Sequence, residues 1–415
     1  MFAHYMVCCP RLGLQSTSID LEREILDARR LSIDGFALNI GSWKKEEKYI
    51  RIPGNMFEAA GKLGPDFKLF FSLDNLDVDE SAEIVARFAG HPNYLRVDGK
   101  VVVSSYGGDP DWGRKLRAQL LAKHIEIFLV PFYYYGHLDP LASFDPLGKD
   151  AYIARRSLRD ADDLDGYFYF GSAAAHPELA QRLLDIGKLT KSAGRLSMLG
   201  VSPFYKGFGP RNSRVFESHG FESMQSQWLS AINSDADWVE LVTWNDWGEA
   251  TYLAPFGHPT FQDLWRQHWG KLLAHDKFLE ASQYYVTWFK ERVEPRIVED
   301  KVFYFYRIHP KTSLGFIQPE IGEVGRPTGS DSLDDEVYVT TYLSAPAELH
   351  FSLGQQNRTL YLPSGVSNIR FPVALGRASL SLHREGREIR AKDLEFEIVP
   401  DGRTGNFNYF GGSLD

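Results

Sequence analysis

The run Trp238-Val239-Glu240-Leu241-Val242 leads directly into Thr243-Trp244-Asn245-Asp246-Trp247-Gly248-Glu249. Two carboxylates, Asp246 and Glu249, stand three positions apart among tryptophans. Indole faces cover the C–H face of a pyranose while carboxyl groups move protons, so this combination suits a sugar. The apolar, β-branched stretch before it reads as a buried strand. That is a rigid support with chemistry at its C-terminal end, as at the mouth of a parallel barrel. The plainer alternative is a strand ending in a solvated acidic turn, although Trp-Asn-Asp-Trp is unusual turn chemistry.

Elements able to position such a site recur from the first residues onward. Strands are expected over 2–7, 34–40, 68–74, 101–106, 125–132, 166–170 and 196–203, with the acidic motif closing an eighth. Helices are expected between them: one capped by Ser18 or Asp20, then 55–63, 79–89, 112–124 and 177–191, and a last one over 261–274. Roughly eight strand–helix units in about 280 residues predict a (β/α)₈ TIM barrel. An open doubly wound sheet is the rival, but no G-x-G-x-x-G follows the first strand.

The texture changes after Tyr285. Short alternating runs at 301–307, 336–342, 349–353, 359–362, 369–373, 379–383 and 394–399 are separated by Gly, Pro, Asn and Ser. They predict a C-terminal antiparallel β-sandwich. The expected domains are a catalytic barrel over 1–285 and an accessory sandwich over 300–415.

The 415 residues carry a net charge of −9, and no block of five Lys or Arg appears. Partners made of nucleic acid or anionic membrane are thereby disfavoured. No apolar run reaches the ~18 residues needed to span a bilayer. Aromatic residues make up 14% of the chain, enough to line a groove as well as fill a core. Cys8 and Cys9 are the only cysteines. Adjacent cysteines rarely form a relaxed disulfide, so Cys8 is read as a buried spectator thiol. Phe2 already lies in the first expected strand, so no secretory signal is expected within this sequence. The compartment is left between cytoplasmic and extracellular after loss of a leader.

In sequence order, the chain resembles the α-1,3-glucanases, or mutanases, of glycoside hydrolase family 71. The matching stretches are Phe-Ala-His-Tyr-Met-Val at 2–7, Ile-Asp-Gly-Phe-Ala-Leu-Asn-Ile at 33–40 and Lys-Leu-Phe-Phe-Ser-Leu-Asp at 68–74. Val-Ser-Pro-Phe at 201–204, Thr-Trp-Asn-Asp-Trp-Gly-Glu at 243–249 and Phe-Tyr-Phe-Tyr-Arg at 303–307 complete the set. The resemblance implies a barrel with a β-sandwich, an extracellular setting and inverting endo-hydrolysis of an α-glucan. Two departures fall where substrate should bind. Trp247-Gly248-Glu249-Ala250-Thr251 replaces Tyr-Gly-Glu-Ser-His, and residues 211–222 replace a Trp-rich stretch. The Trp-Asn-Asp-Trp-Gly-Glu spelling leans toward the endo-α-mannosidase barrels of family 99, the alternative reading. A barrel that binds carbohydrate without catalysis is the other.

The family motif points to Asp246 and Glu249 as the catalytic pair, Glu249 as general acid and Asp246 as general base, with the roles interchangeable. Desolvation by Trp244 and Trp247 would raise the acid's pKa. An inverting pair is expected to stand roughly 6.5–9.5 Å apart, a retaining one about 5–5.5 Å. Asp74, matching the family's Ser-x-Asp, is expected at the catalytic face beside them. The remaining substrate-binding candidates are His4, Asn39 and Asn245 for hydroxyls, and Tyr106, Tyr133, Tyr205, Trp244 and Trp247 as ring platforms. Tyr134 and Tyr135 join the platforms, and packing beneath loops is the alternative for all of these tyrosines. No cofactor and no metal are expected. Asp74-Asn75-Leu76-Asp77 lacks the spacing and glycine of a calcium loop. Neither a G-x-S-x-G elbow, an H-E-x-x-H pair nor a P-loop is present. The oligomeric state is left open.

Overall fold

The computed structural model describes residues 1–133, 140–209, 211–256, 272–313, 316–318, 322–400 and 407–414. It divides into two compact units. The first holds residues 1–172, 177–202 and 227–246; the second holds 173–176, 203–226 and 247–415.

The first unit alternates strands and helices. Its strands are β1 Phe2–Met6, β2 Gly35–Ile40, β3 Lys68–Asp74, the short β4 Arg96–Val97, β5 Lys100–Tyr106, β6 Ile127–Phe132, β7 Gly166–Tyr169, β8 Leu196–Val201 and β9 Trp238–Leu241. Eight of them form one curled parallel sheet in the order β6-β5-β3-β2-β1-β9-β8-β7, with β4 added antiparallel to β5. Burial on both faces explains the continuous apolar runs in these strands. Register aligns the C-terminal ends: Met6 pairs with Asn39, Asn39 with Ser72, and Asp74 with Tyr106. A Cβ on Gly35 would fall 2.0 Å from the Lys68 carbonyl oxygen, so the close β2–β3 approach requires glycine there.

The crossover helices are α1 Ser18–Arg30, α2 Lys48–Lys62, α3 Val78–Phe88, α4 Pro110–Leu121, α5 Lys149–Asp160, α6 Glu178–Ser192 and α7 Glu222–Asn233. Thr17 caps α1 in a capping box with Asp20, one residue before the expected cap. Helix α2 begins seven residues ahead of its expected start and carries Pro53 inside it. An interior proline forfeits a helical hydrogen bond, which is why the sequence suggested a later start. Helices α5 and α7 were not anticipated, and most of the helix expected over 261–274 lies outside the described residues. No described helix is long and apolar enough to cross a membrane.

The second unit contains α8 Asp276–Glu291 and strands β10 Lys301–Arg307, β11 Phe316–Gln318, β12 Gly322–Gly325, β13 Glu336–Leu343, β14 Ala347–Leu353, β15 Gln356–Leu362, β16 Gly365–Pro372, β17 Ala378–Arg384, β18 Arg387–Asp393 and β19 Tyr409–Ser413. Two four-stranded antiparallel sheets, β16-β13-β10-β19 and β15-β14-β17-β18, accompany the antiparallel pair β11–β12. Inward residues from both larger sheets share one apolar core, with Phe351 stacked on Phe371 at 4.0 Å. Each such side chain contributes about 1.5–3 kcal/mol through burial. The run 394–399 is not a strand; its place at the sheet edge is taken by β18. That strand is charged and largely exposed, so it shows no apolar alternation.

Candidate active site

In the acidic motif, burial separates the two carboxylates from their neighbours. Asp246 and Glu249 are half-buried, whereas Trp244, Asn245 and Trp247 are fully buried. The Asp246 amide donates to Thr243 Oγ1 at 2.8 Å, which fixes the turn just past β9. Asn245 ties that turn to the end of β1. Its Oδ1 accepts from the Met6 amide at 2.7 Å, and its Nδ2 donates to the Met6 and Cys9 carbonyls at 3.0 and 2.7 Å. Asn245 therefore positions the strand ends, with its amide committed to backbone.

Trp244 points into the core. Its Nε1 donates to Glu24 Oε2 at 2.7 Å, and its ring packs 5.3 Å from Phe36. Glu24 also accepts from the Tyr5 hydroxyl and the Arg11 amide. Burial raises its pKa against the pull of Arg11 and these donors. Trp247 packs 4.7 Å from Tyr252. Neither tryptophan offers a face to a sugar, because a long apolar ring is more stable inside when a partner takes its N–H or covers its face.

The other strand-end residues of the first unit gather around His4. His4 Nδ1 lies 2.6 Å from Glu240 Oε1, and both side chains are buried. Burial raises Glu240, while the hydrogen bond and charge of His4 oppose the shift. Glu240 Oε2 has no hydrogen-bond partner among the described residues. The His4 ring meets Phe170 at 5.0 Å, and Phe170 meets Tyr106 at 5.1 Å. Asn39 hydrogen-bonds Asp74, and Asn75 Nδ2 donates to Asp74 Oδ1 at 2.9 Å. Burial raises the Asp74 pKa; the two asparagines and the charge of His4 only partly offset it. Asp74, Asn39, Tyr106 and His4 thus belong to one patch of the sheet's C-terminal end.

Tyr133 is fully buried, and a Cβ on Gly113 of α4 would fall 2.0 Å from its hydroxyl. It packs on a helix and is not a platform; Tyr134 and Tyr135 lie outside the described residues. The expected Cys8 thiol is also corrected. Cys8 and Cys9 form a vicinal disulfide, both half-buried. A tight turn, closed by the Cys9 amide on the Met6 carbonyl and held by Asn245, brings the two sulfurs together.

In the second unit, Glu249 has its own set of donors. Tyr205 Oη and Asn212 Nδ2 donate to Glu249 Oε1 at 2.8 and 3.0 Å. Asn212 Nδ2 and Arg214 Nη2 also reach the Tyr205 oxygen, and the Arg214 guanidinium sits 5.1 Å from the Tyr205 ring. Burial and the Glu249 charge push the Tyr205 pKa well up, so the phenol remains a donor. Backbone bonds from Lys206 to the Glu249 carbonyl and from Phe208 to the Gly248 carbonyl hold this loop against the motif. Lys206 itself is buried with its ammonium 4.1 Å from the Phe208 ring, and desolvation lowers its pKa to about 7.

Sequence reasoning missed Glu240, Glu24, Asn212 and Arg214. Glu240 and Glu24 left a signal, one as a charge inside an apolar strand and the other as a charge on the apolar face of a helix, and each requires a partner. Chemically, Glu249 is a half-exposed carboxylate fixed by a phenol and an amide. A carboxyl group held in this way can pass a proton along a fixed direction.

Comparison with known proteins agrees with this chemistry. The profile of Glycosyl hydrolase family 71 matches residues 1–415. A glucan endo-1,3-alpha-glucosidase of Schizosaccharomyces pombe is 28% identical over 95% of this chain and 90% of its own length. A mutanase of Penicillium rubens is 25% identical over 100% of this chain and 88% of its own. Among solved structures, the GH99 endo-alpha-mannosidase of Bacteroides thetaiotaomicron superposes with a TM-score of 0.50 at 16% identity. The match covers 70% of this chain and 97% of that one and speaks to the fold alone.

Proposed function

We propose, since the chain belongs to glycosyl hydrolase family 71, that it cleaves α-1,3-glucosidic bonds within an α-glucan and inverts the anomeric centre. The chain is a glycoside hydrolase; the match of the family profile over its full length carries this reading. The names of the two fungal relatives support the linkage. In the proposed reaction Glu249 protonates the departing glycosidic oxygen. Asp246 takes a proton from the water that attacks the anomeric carbon. The half-exposure of both acids supports these roles, as does the fixing of Glu249 by Tyr205 and Asn212. Asp74, with Asn39 and His4, accepts hydrogen bonds from sugar hydroxyls.

On this reading residues 1–285 are a closed (β/α)₈ barrel and 300–415 a β-sandwich. Closure between β6 and β7 is supported by Asp165, whose amide donates to the Leu129 carbonyl at 3.0 Å and whose Oδ2 accepts from the Leu129 amide at 2.8 Å. An extracellular setting is supported by a further relative, an ascus wall endo-1,3-alpha-glucanase of Schizosaccharomyces pombe. The test is incubation with α-1,3-glucan, other α-glucans and α-mannan, with product sizing and the anomer followed by NMR. Internal cleavage of α-1,3-glucan with β-configured products is expected. Cleavage of mannan alone would move the protein to the endo-mannosidase reading, and cleavage of no glycan to that of a binding barrel.

A further inference from the structure

We propose that His176, His219 and Glu222, all in the second unit, form a binding site for one divalent transition-metal ion of the zinc class. One nitrogen from each histidine and one oxygen of Glu222 lie within 4.8 Å of one another. The two histidines approach through their Nδ1 atoms, 3.0 Å apart. An ion bonded at about 2.0–2.2 Å to each ligand in tetrahedral geometry holds them roughly 3.4 Å apart, so the two Nδ1 atoms part slightly and the Glu222 oxygen moves in. Two imidazoles and a carboxylate are a donor set that zinc and its neighbours prefer over calcium or magnesium.

The tautomers support this assignment. His219 Nε2 lies 3.2 Å from the Asp334 carboxylate, which only accepts. The neutral ring therefore carries its proton on Nε2 and turns a bare Nδ1 lone pair toward His176. A carboxylate on the far nitrogen is the usual outer partner of a metal-bound imidazole. His176 Nε2 is matched by Ser226 Oγ at 3.1 Å, which leaves its Nδ1 to face the same centre. Without a cation, Ser226 Oγ donates to His176 Nε2 and His176 Nδ1–H donates to His219; with one, His176 donates from Nε2 to Ser226 and both Nδ1 lone pairs are bare.

Glu217 builds the scaffold for these ligands. Its carboxylate accepts from the amides of Ser218, His219 and Asp334, from Tyr409 and from Arg307. Its carbonyl accepts from the His176 amide at 2.9 Å. One buried residue thus fixes both histidine backbones and the outer carboxylate. Arg370 grips Glu222 with two bonds of 2.9 and 2.6 Å, and each carboxylate oxygen keeps a second lone pair for the ion. Glu217, Glu222, Asp334 and Glu336 outweigh Arg307 and Arg370, so the surrounding field favours a cation.

Cobalt(II) is the probe, added to the full chain after chelator treatment. The expected result is one cobalt per chain with an intense, low-symmetry visible d–d band, displaced by zinc. His176→Gln and His219→Gln should each remove the band while circular dichroism shows a folded chain. Absence of the band in the parent chain, or its persistence in both variants, overturns the proposal. Should either variant unfold, Asp334→Asn decides: weakening of zinc affinity by about 10–100-fold supports the site, and unchanged affinity overturns it.

Discussion

The Tyr205 hydroxyl donates to Glu249 Oε1 at 2.8 Å, and Asn212 donates to the same oxygen. A carboxyl group that must transfer a proton along one direction gains from such fixing, because misplacement by an ångström costs about 10²-fold in rate. Tyr205→Phe retains the ring and its packing on Phe216. It should lower kcat on α-1,3-glucan by about 10–100-fold with KM changed little. A fall in affinity with kcat intact would instead make Tyr205 a substrate contact.

Removing the acids themselves should cost more. Asp246→Asn and Glu249→Gln should each lower kcat by at least about 10²-fold while leaving thermal unfolding nearly unchanged, since both are half-buried rather than core residues. Azide should rescue the variant lacking the base and yield a glycosyl azide, and should leave the one lacking the acid unrescued on a poor leaving group. Near-normal turnover in both would reject the assignment, and Asp74 with another strand-end acid would be the next pair to test.

The strand ends were legible in the sequence because an apolar run that stops abruptly marks where a parallel strand leaves the core. Asn39, Asp74 and Tyr106 were found this way; the register sets Asp74 beside Tyr106, and Asn39 reaches Asp74 with a hydrogen bond. Burial of Trp244 and Trp247 was not legible. Their spacing fits a sugar groove and a core equally well; what decides for Trp244 is Glu24, 220 residues away in the chain, and for Trp247 the Tyr252 ring. The His4–Glu240 pair was hidden for the same reason, since the last strand must fold back beside the first to form it. In the second unit, β18 escaped notice because an exposed edge strand has no apolar face to reveal it.

Lys206 should make stability depend on pH. Its folded pKa of about 7 lies below the ~10.4 of an unfolded lysine. Between these values the unfolded chain holds more protons, so this residue makes stability rise as pH rises from 7 toward 10. Lys206→Met keeps the length of the side chain without the buried charge. The variant should be more stable than the parent at pH 7 by at least about 1 kcal/mol and show a flatter pH dependence across that window. Thermal melts at pH 7 and 10 read both effects. A variant less stable at pH 7 would show that the Phe208 ring contact outweighs the cost of burial.

Asp74 links stability and activity in opposite directions. Burial raises its pKa, so ionising it at neutral pH costs folding free energy. For a carboxyl raised in the fold, stability is full below the unfolded pKa and declines as pH climbs through the folded value. Asp74→Asn should therefore raise the melting temperature at pH 7 while lowering kcat/KM, as a residue kept for function rather than for stability would. Asn39 provides the finer test, because its hydrogen bond lowers the Asp74 pKa. Asn39→Leu, similar in size but without the donor, should move that pKa further up. If Asp74 acts as an ionised acceptor for a sugar hydroxyl, the acid limb of kcat/KM shifts to higher pH and the alkaline limb stays in place. A shift of the alkaline limb alone would make Asp74 a proton donor. A profile in which neither limb moves would remove Asp74 from the reaction and leave it a structural acid at the end of β3.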